Sequence, residues 1–384
     1  MGALTLKEQS QRNRDGTAEL AEFLKSCIDT SINFDGSGIS ENGFDVRINY
    51  LNNGRLEVDF IPFMPFAGLL NEGLYEQIGS VLATALVPMA TRISGTGMQV
   101  KPTGSTELSN ARAFAYQFLV GNVQRIMVRD LSQVKVPNGV IPLMLDGTGH
   151  VICSYDTKSQ NDMIAVSGFS GGGKTLMLLY LISCYLKLGS EIVIIDPKTD
   201  QALYRYARKQ NLLYVSPMMG KSDLNFVAIL QRTLRAALNQ IQERQQRMAK
   251  VPSYTPRRLV IVLDELLSLI ALIGTTKEGK EITGLITKLM VMGRSSNVSV
   301  IIASQQLNAS VLPTSCREQL SLRLQLTPNL NAKNCSFLFP TLEHPENIII
   351  PEDQYQFGRG LVEVVDGSNQ VLPFLSPLIV QGGH

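Results

Sequence analysis

At 384 residues the chain has room for two domains, each able to bury a core of its own. An apolar fraction of 44% with 18% charged residues excludes a disordered or fibrous polypeptide. The near balance of 35 basic and 33 acidic side chains, net +2, leaves the global charge silent on partners. Five scattered cysteines (Cys27, Cys153, Cys184, Cys316, Cys335) form no CxxC pair and predict free buried thiols in a reducing cytoplasm, not disulfides or a zinc centre. Three histidines, one of them the last residue, argue against a histidine-based metal site.

The N-terminus carries Lys7, Glu8, Arg12, Arg14 and Asp15, which is not the pattern of a signal peptide. Leu20, Phe23, Leu24 and Cys27 then recur at helical spacing, ahead of a Gly/Ser-rich turn that closes a segment 1–39. A hairpin follows: Val46, Ile48 and Tyr50 alternate, Asn52-Asn53-Gly54 turns, and Leu56, Val58 and Phe60 alternate back. After a bend at Pro62 and Pro65, the spacing of Leu74, Ile78, Leu82 and Leu86 predicts a helix. The uncharged run Gln77–Thr91 falls short of the roughly 20 apolar residues of a spanning helix, so it reads as buried and no transmembrane segment is expected. A further helix is expected over Ser109–Gly121, completing a small α+β domain over 40–138, and a strand-rich connector over Gly139–Cys153.

From Met163 the pattern changes. Apolar runs at Met163–Val166, Glu191–Ile195, Leu259–Leu263, Val298–Ala303 and Leu320–Leu326 alternate with amphipathic stretches. Strands apolar on both faces belong to a mainly parallel sheet covered by helices, an α/β domain over 139–384.

Gly168-Phe-Ser-Gly-Gly-Gly-Lys174-Thr175 matches the phosphate-loop pattern GxxxxGK[ST], preceded by an expected strand and followed by an expected helix, Leu176–Leu188. Gly168, Ser170, Gly171, Gly172, Gly173, Lys174, Thr175 and Leu176 are therefore the candidate nucleotide-binding residues. The glycines let backbone N–H groups converge on phosphates, Lys174 can reach the β/γ oxygens, and the Thr175 hydroxyl can ligate Mg²⁺. The strand Leu259–Leu263 ends in Asp264-Glu265. An acid there can hold the water shell of Mg²⁺, the role expected of Asp264, and a second can polarise the attacking water, the role expected of Glu265. Two acids solvating a strand end is the structural alternative. Gln305, at the tip of the next strand, is the candidate sensor of the γ-phosphate, a cap being the alternative. Arg294 could satisfy helix-end carbonyls or reach the ATP of a neighbouring subunit.

Together these residues resemble the FtsK/SpoIIIE/HerA-type motor ATPases over about Gly139 to Leu378. After the phosphate loop, Asp196-Pro197-Lys198 is similar to the family's "IDPK", and Gln242-Glu243-Arg244 to its "MExR" helix. Arg294 stands where "ARAAG" places a trans-acting arginine finger, and Ser304-Gln305 matches "TQ". Phe357-Gly358-Arg359-Gly360-Leu361 resembles the glycine turn before the last strands. The family's basic residue after "TQ" is Gln306 here, and its DNA-touching positions are matched only by Arg317 and Lys333. Neither sequence-directed loading of the FtsK kind, through a winged-helix domain, nor the N-terminal membrane helices of FtsK are expected.

The resemblance implies a RecA-like P-loop NTPase of the additional-strand class, preceded by the smaller α+β domain. It also implies an ATPase using ATP and Mg²⁺, with Lys174, Glu265, Arg294 and Gln305 as its catalytic set. Its size points to the FtsK-like coupling or transfer ATPases of plasmids and integrative elements, which move double-stranded DNA as a homohexameric ring. A cytoplasmic location follows, with any attachment made through membrane or relaxosome partner proteins. A type VII-like protein-secretion ATPase and a nucleotide-dependent assembly protein are the alternatives. Asp200–Val260 carries roughly 11 basic against about 3 acidic residues, and it reads as a DNA path, a solvated helix face or a subunit contact.

Overall fold

The structure of the chain, a computed structural model, describes residues 6–32, 43–51, 54–63, 72–95, 97–121, 123–158, 162–219, 223–368 and 370–380. Helix α1 (Leu6–Ser31) precedes strands β1 (Phe44–Leu51) and β2 (Arg55–Pro62), helix α2 (Glu72–Leu86), and strands β3 (Ala90–Arg92), β4 (Gln99–Pro102) and β5 (Arg112–Val120). These strands form an antiparallel sheet in the order β1-β2-β5-β3, with β4 also on β5. The expected hairpin is present, pairing Val46 with Phe60 and Tyr50 with Leu56. Asn52, Asn53, Pro65 and the Gly/Ser-rich turn lie outside the described residues. Leu24 and Ile28 of α1 and Ile78, Leu82 and Leu86 of α2 share one core with the inner face of the sheet. Phe23 turns outward instead, 52% exposed.

Residues Ser109–Gly121 do not form a helix. Arg112–Val120 is β5, the strand that joins β2 to β3 and β4. Phe114, Tyr116 and Phe118 alternate with period two and put three rings into the same core. That burial outweighs the helix preference of the intervening Ala115 and Gln117.

Strands β6 (Met127–Val128), β7 (Val140–Leu145) and β8 (Val151–Asp156) make the connector, β7 and β8 as a hairpin. Then come β9 (Met163–Gly168), α3 (Lys174–Lys187), β10 (Glu191–Ile195), α4 (Gln201–Lys209), β11 (Leu213–Val215), α5 (Asp223–Lys250), β12 (Leu259–Leu263), α6 (Leu266–Ile273), α7 (Lys277–Met292), β13 (Val298–Ser304), α8 (Thr314–Arg317), β14 (Leu322–Leu326), α9 (Ala332–Cys335), β15 (Arg359–Val364), β16 (Val371–Leu375) and β17 (Leu378–Ile379). An eight-stranded sheet runs β11-β10-β12-β13-β9-β14-β15-β16. Its first six strands are parallel and the last two antiparallel.

The apolar runs are continuous because both faces are covered. Ala165, Val193, Ile261 and Ile302 pack with α5, α6 and α7 on one face. Val166, Ile194, Val262 and Ile301 pack with α3, α4 and the β7–β8 hairpin on the other. Strand β13 lies between β9 and β12, the inserted strand that defines the additional-strand P-loop fold. The small sheet abuts the antiparallel edge, where Ser94 bridges to Val371 and the Arg55 guanidinium donates to Gln370. All five cysteines are free, and all but the partly buried Cys27 are buried. Gln77–Thr91 falls on α2 and β3, and no helix among the described residues is long and apolar enough to cross a membrane.

Candidate nucleotide-binding site

The C-terminal tips of β9, β10, β12 and β13 face one cavity of about 510 Å³. It is lined by Ser170, Gly171, Gly173, Lys174, Thr175 and Leu176 from the phosphate loop and α3. Lys198, Asp200, Asp264, Glu265, Gln305 and Phe357 line the remainder. The loop turns through left-handed backbone at Gly171 (φ +80°) and Gly173 (φ +94°), which a side chain would strain. A Cβ on Gly168 or Gly172 would lie 2.6 or 2.7 Å from the Leu326 carbonyl oxygen, so the loop packs directly on the end of β14. The first N–H groups of α3 have no intrahelical acceptors and add positive potential at the cavity. Such an arrangement suits phosphate oxygens. The Lys174 ammonium donates to the carbonyls of Gly168 at 2.8 Å and Phe169 at 3.1 Å, which holds it over its own loop. Burial draws its pKa below the usual lysine range, opposed by the charges of Glu265 and Asp264.

Asp264 and Glu265 are both nearly buried, 7% and 5% exposed. Burial, then the neighbouring charges of Asp196, Glu265 and Asp200, pushes the Asp264 carboxyl up to about 7, with Lys174 opposing. A surplus of buried negative charge beside a phosphate cradle suits a divalent cation. Mg²⁺ fits this donor set, because it keeps most of its waters and takes one or two protein oxygens. Asp264 and the Thr175 hydroxyl are the groups that would hold it. Glu265 sits in the left-handed region at φ 50°, ψ 61°, a sharp turn from β12 into α6. Its Oε1 accepts the backbone N–H of Gln305 at 3.0 Å, and its Oε2 stands 3.4 Å from the Lys198 ammonium.

Three cavity residues, Lys198, Asp200 and Phe357, had no role in the sequence reading. Lys198 belongs to the Asp196-Pro197-Lys198 run, whose distinctiveness was the available signal. The structure explains the run. Buried Asp196 accepts the N–H groups of Lys198, Thr199 and Asp200 and the Tyr214 hydroxyl, all within 2.6–2.9 Å. Four donors on one carboxylate fold the chain after β10 into a turn that presents Lys198 and Asp200 to the cavity. Phe357 also lines the cavity, and its period gave no hint of it.

Arg294 is exposed and opens the 3₁₀ turn Arg294–Ser296, before β13. Strand β13 separates it from Gln305, a span of about 20 Å at strand rise, so it lies at the opposite end of the strands from its own phosphate loop. Arg244 of α5 braces this turn by donating to the carbonyls of Ser296 at 3.0 Å and Asn297 at 3.3 Å. Much of the basic segment is similarly engaged within the fold. Arg235 pairs with Glu281, Arg247 stacks on Tyr254, and Arg257 donates to Gly189. Arg258 pairs with Asp162; Arg205, Arg208, Lys209, Arg232 and Lys250 are exposed, as are the engaged Arg235, Arg247 and Arg257. Lys221 lies outside the described residues.

No family profile matches the chain. Over 254 residues it is 26% identical to the FtsK domain-containing protein YdcQ of Bacillus subtilis (strain 168), covering 64% of this chain and 48% of YdcQ. The chain is a homologue of this FtsK domain-containing protein. It spans about half the length of this curated relative. The fold of this homologue matches the pCW3 conjugation coupling protein TcpA, solved as a monomer with ATPγS, over 93% of this chain and 94% of that one. The TM-score is 0.55 at 14% identity. The cytoplasmic domain of the type VII secretion ATPase EccC from Thermomonospora curvata aligns over 66% of this chain and 31% of its own, at a TM-score of 0.47 and 16% identity. The fold is thus that of a P-loop ATPase, with a small antiparallel α+β domain ahead of a mostly parallel sheet.

Proposed function

We propose that the chain is the motor ATPase of a DNA-transfer apparatus, binding and hydrolysing Mg-ATP and moving duplex DNA as a hexameric ring. The observation that carries hydrolysis is the convergence of Lys174, Asp264, Glu265 and Gln305 on one cavity, with Glu265 oriented by the Gln305 N–H. Lys174 and the N-terminus of α3 bind the phosphates. Glu265 takes the proton of the attacking water, and Gln305 reports the γ-phosphate to β13. Thr175 and Asp264 would hold Mg²⁺, which would supply charge neutralisation for the phosphoryl group. Arg294 cannot reach its own loop across the length of β13, so its part in hydrolysis is played at a neighbour's site, which makes the ring the working unit.

DNA as the moved polymer is supported by the FtsK-domain relative and by the end-to-end likeness to a conjugation coupling protein, small α+β layer included. The test is the ATPase rate with and without long duplex DNA at two salt concentrations. Stimulation by DNA that weakens with salt is expected. Hydrolysis that ignores DNA would favour a protein-moving or assembly role, and absence of hydrolysis would overturn the motor.

A further inference from the structure

We propose that the ring of Phe357 is the wall on which the base of a bound nucleotide stacks. This rests on the reading of the cavity as a nucleotide site. The order β10-β12-β13-β9-β14-β15 puts Lys198, Asp264, Glu265 and Gln305 on one side of the phosphate loop. Phe357, just ahead of β15, is on the other side. A nucleotide whose terminal phosphate points to the acids of β12 directs its base the opposite way. There the half-buried Phe357 ring lines the cavity beside Gly173, Thr175 and Leu176.

The wall is built as one body with the phosphate loop. The Gly358 N–H donates to the Gly172 carbonyl at 2.9 Å, and a Cβ on Gly173 would lie 3.1 Å from the Gly358 nitrogen. Gly358 is itself held at φ +68°, where a Cβ would collide with Ser376 Oγ at 2.1 Å. Beneath it lies the buried Arg125, which forks onto Asp353 and donates to the carbonyls of Phe357 (2.6 Å) and Ser376 (3.0 Å). Its guanidinium carbon also lies 5.7 Å from the Tyr355 ring and 5.9 Å from the Phe357 ring. Every guanidinium nitrogen is used, so the backbone that carries the ring is held before any ligand arrives. Stacking on a preset aromatic face needs no ordering of the wall at the moment of binding.

The chain contains no tryptophan, so Phe357→Trp introduces a single reporter. Its emission should change saturably with ADP and stay unchanged with inorganic tripolyphosphate, which fills only the phosphate cradle. By calorimetry, Phe357→Ala should weaken ADP binding roughly 5- to 150-fold, the range of one lost base–aromatic stack, and leave tripolyphosphate affinity intact. Phe357→Tyr should restore ADP affinity. Wild-type ADP affinity in Phe357→Ala, or an equal response of the Phe357→Trp variant to both ligands, would overturn the stacking wall alone. Wild-type protein that binds neither ligand would overturn the nucleotide site beneath it.

Discussion

The Glu265 carboxylate accepts the backbone N–H of Gln305 at 3.0 Å, joining the tips of β12 and β13 across the cavity. The bond fixes one oxygen of the acid and leaves the other near Lys198, 3.4 Å away. Glu265→Gln keeps an acceptor for that N–H, so the turn and the cradle should survive while the base is lost. Turnover is expected to fall by about 10²–10⁴ with nucleotide affinity near wild type. Lys174→Ala should lose nucleotide binding itself. Fluorescent-nucleotide titration separates the two, and equal loss of binding in both variants would refute the division of roles.

The opposite end of the strands depends on a second buried carboxylate. Asp162, ahead of β9, pairs with Arg258, ahead of β12, and accepts from Ser299 of β13 at 3.4 Å, so one group ties together the bases of three of the four strands that build the site. Burial raises the Asp162 pKa to about 6, with Arg258 the main opposing influence. A folded-state pKa above the unfolded value means that stability falls as pH rises through the window from about 4 to 6, then levels. Arg258→Gln should cost roughly 3–5 kcal/mol by leaving the carboxylate unpaired. It also extends the window upward, so the loss in melting temperature should be larger at pH 8 than at pH 5.5. A pH-independent loss would show that Arg258 acts through packing alone.

Of the basic residues between Asp200 and Val260, those engaged inside the fold are poor candidates for DNA contact, and the exposed Arg232 and Lys250 are better ones. If both neutralise phosphates, replacing them by Gln should flatten the slope of log affinity against log salt by about 0.9 for each contact. Duplex binding measured across salt decides this. An unchanged slope assigns these side chains to a solvated helix face.

The parallel sheet was legible because its strands are apolar on both faces and their ends carry fixed-spacing motifs. Glu191–Ile195 and Leu259–Leu263 match the strands residue for residue. β5 was misread because Ala115 and Gln117, both good helix formers, separate its aromatic residues and weaken the period-two signal. The phosphate loop and the paired acids are local in sequence and could be found there. Phe357 joins the cavity through a hydrogen bond spanning residues 172 and 358, and Arg125 reaches its partners from more than two hundred positions away. Such meetings leave no periodic trace. Asp196 lies between these cases, since its motif was visible but its four-donor turn needed coordinates.

Arg294 decides between a ring motor and a lone ATPase. It stands at the far end of the strands from its own phosphate loop, on a turn that Arg244 braces through two carbonyls. In trans it would stabilise the charge on the phosphoryl group at a neighbour's site, and such fingers contribute roughly 10³–10⁵ in rate. Arg294→Ala should therefore bind ATP normally and hydrolyse it slowly. Wild-type activity per subunit should rise with protein concentration as neighbours assemble. Mixing Arg294→Ala with Lys174→Ala subunits pairs an intact loop with an intact finger at some interfaces, so part of the activity should return. Arg244→Met should lower turnover less than Arg294→Ala, because it loosens the turn without removing the cation. If wild-type activity per subunit stays flat from dilute monomer upward, hydrolysis needs no neighbour. Arg294 would then be a surface cation on a helix-end turn, and the ring would lose the one residue that requires it.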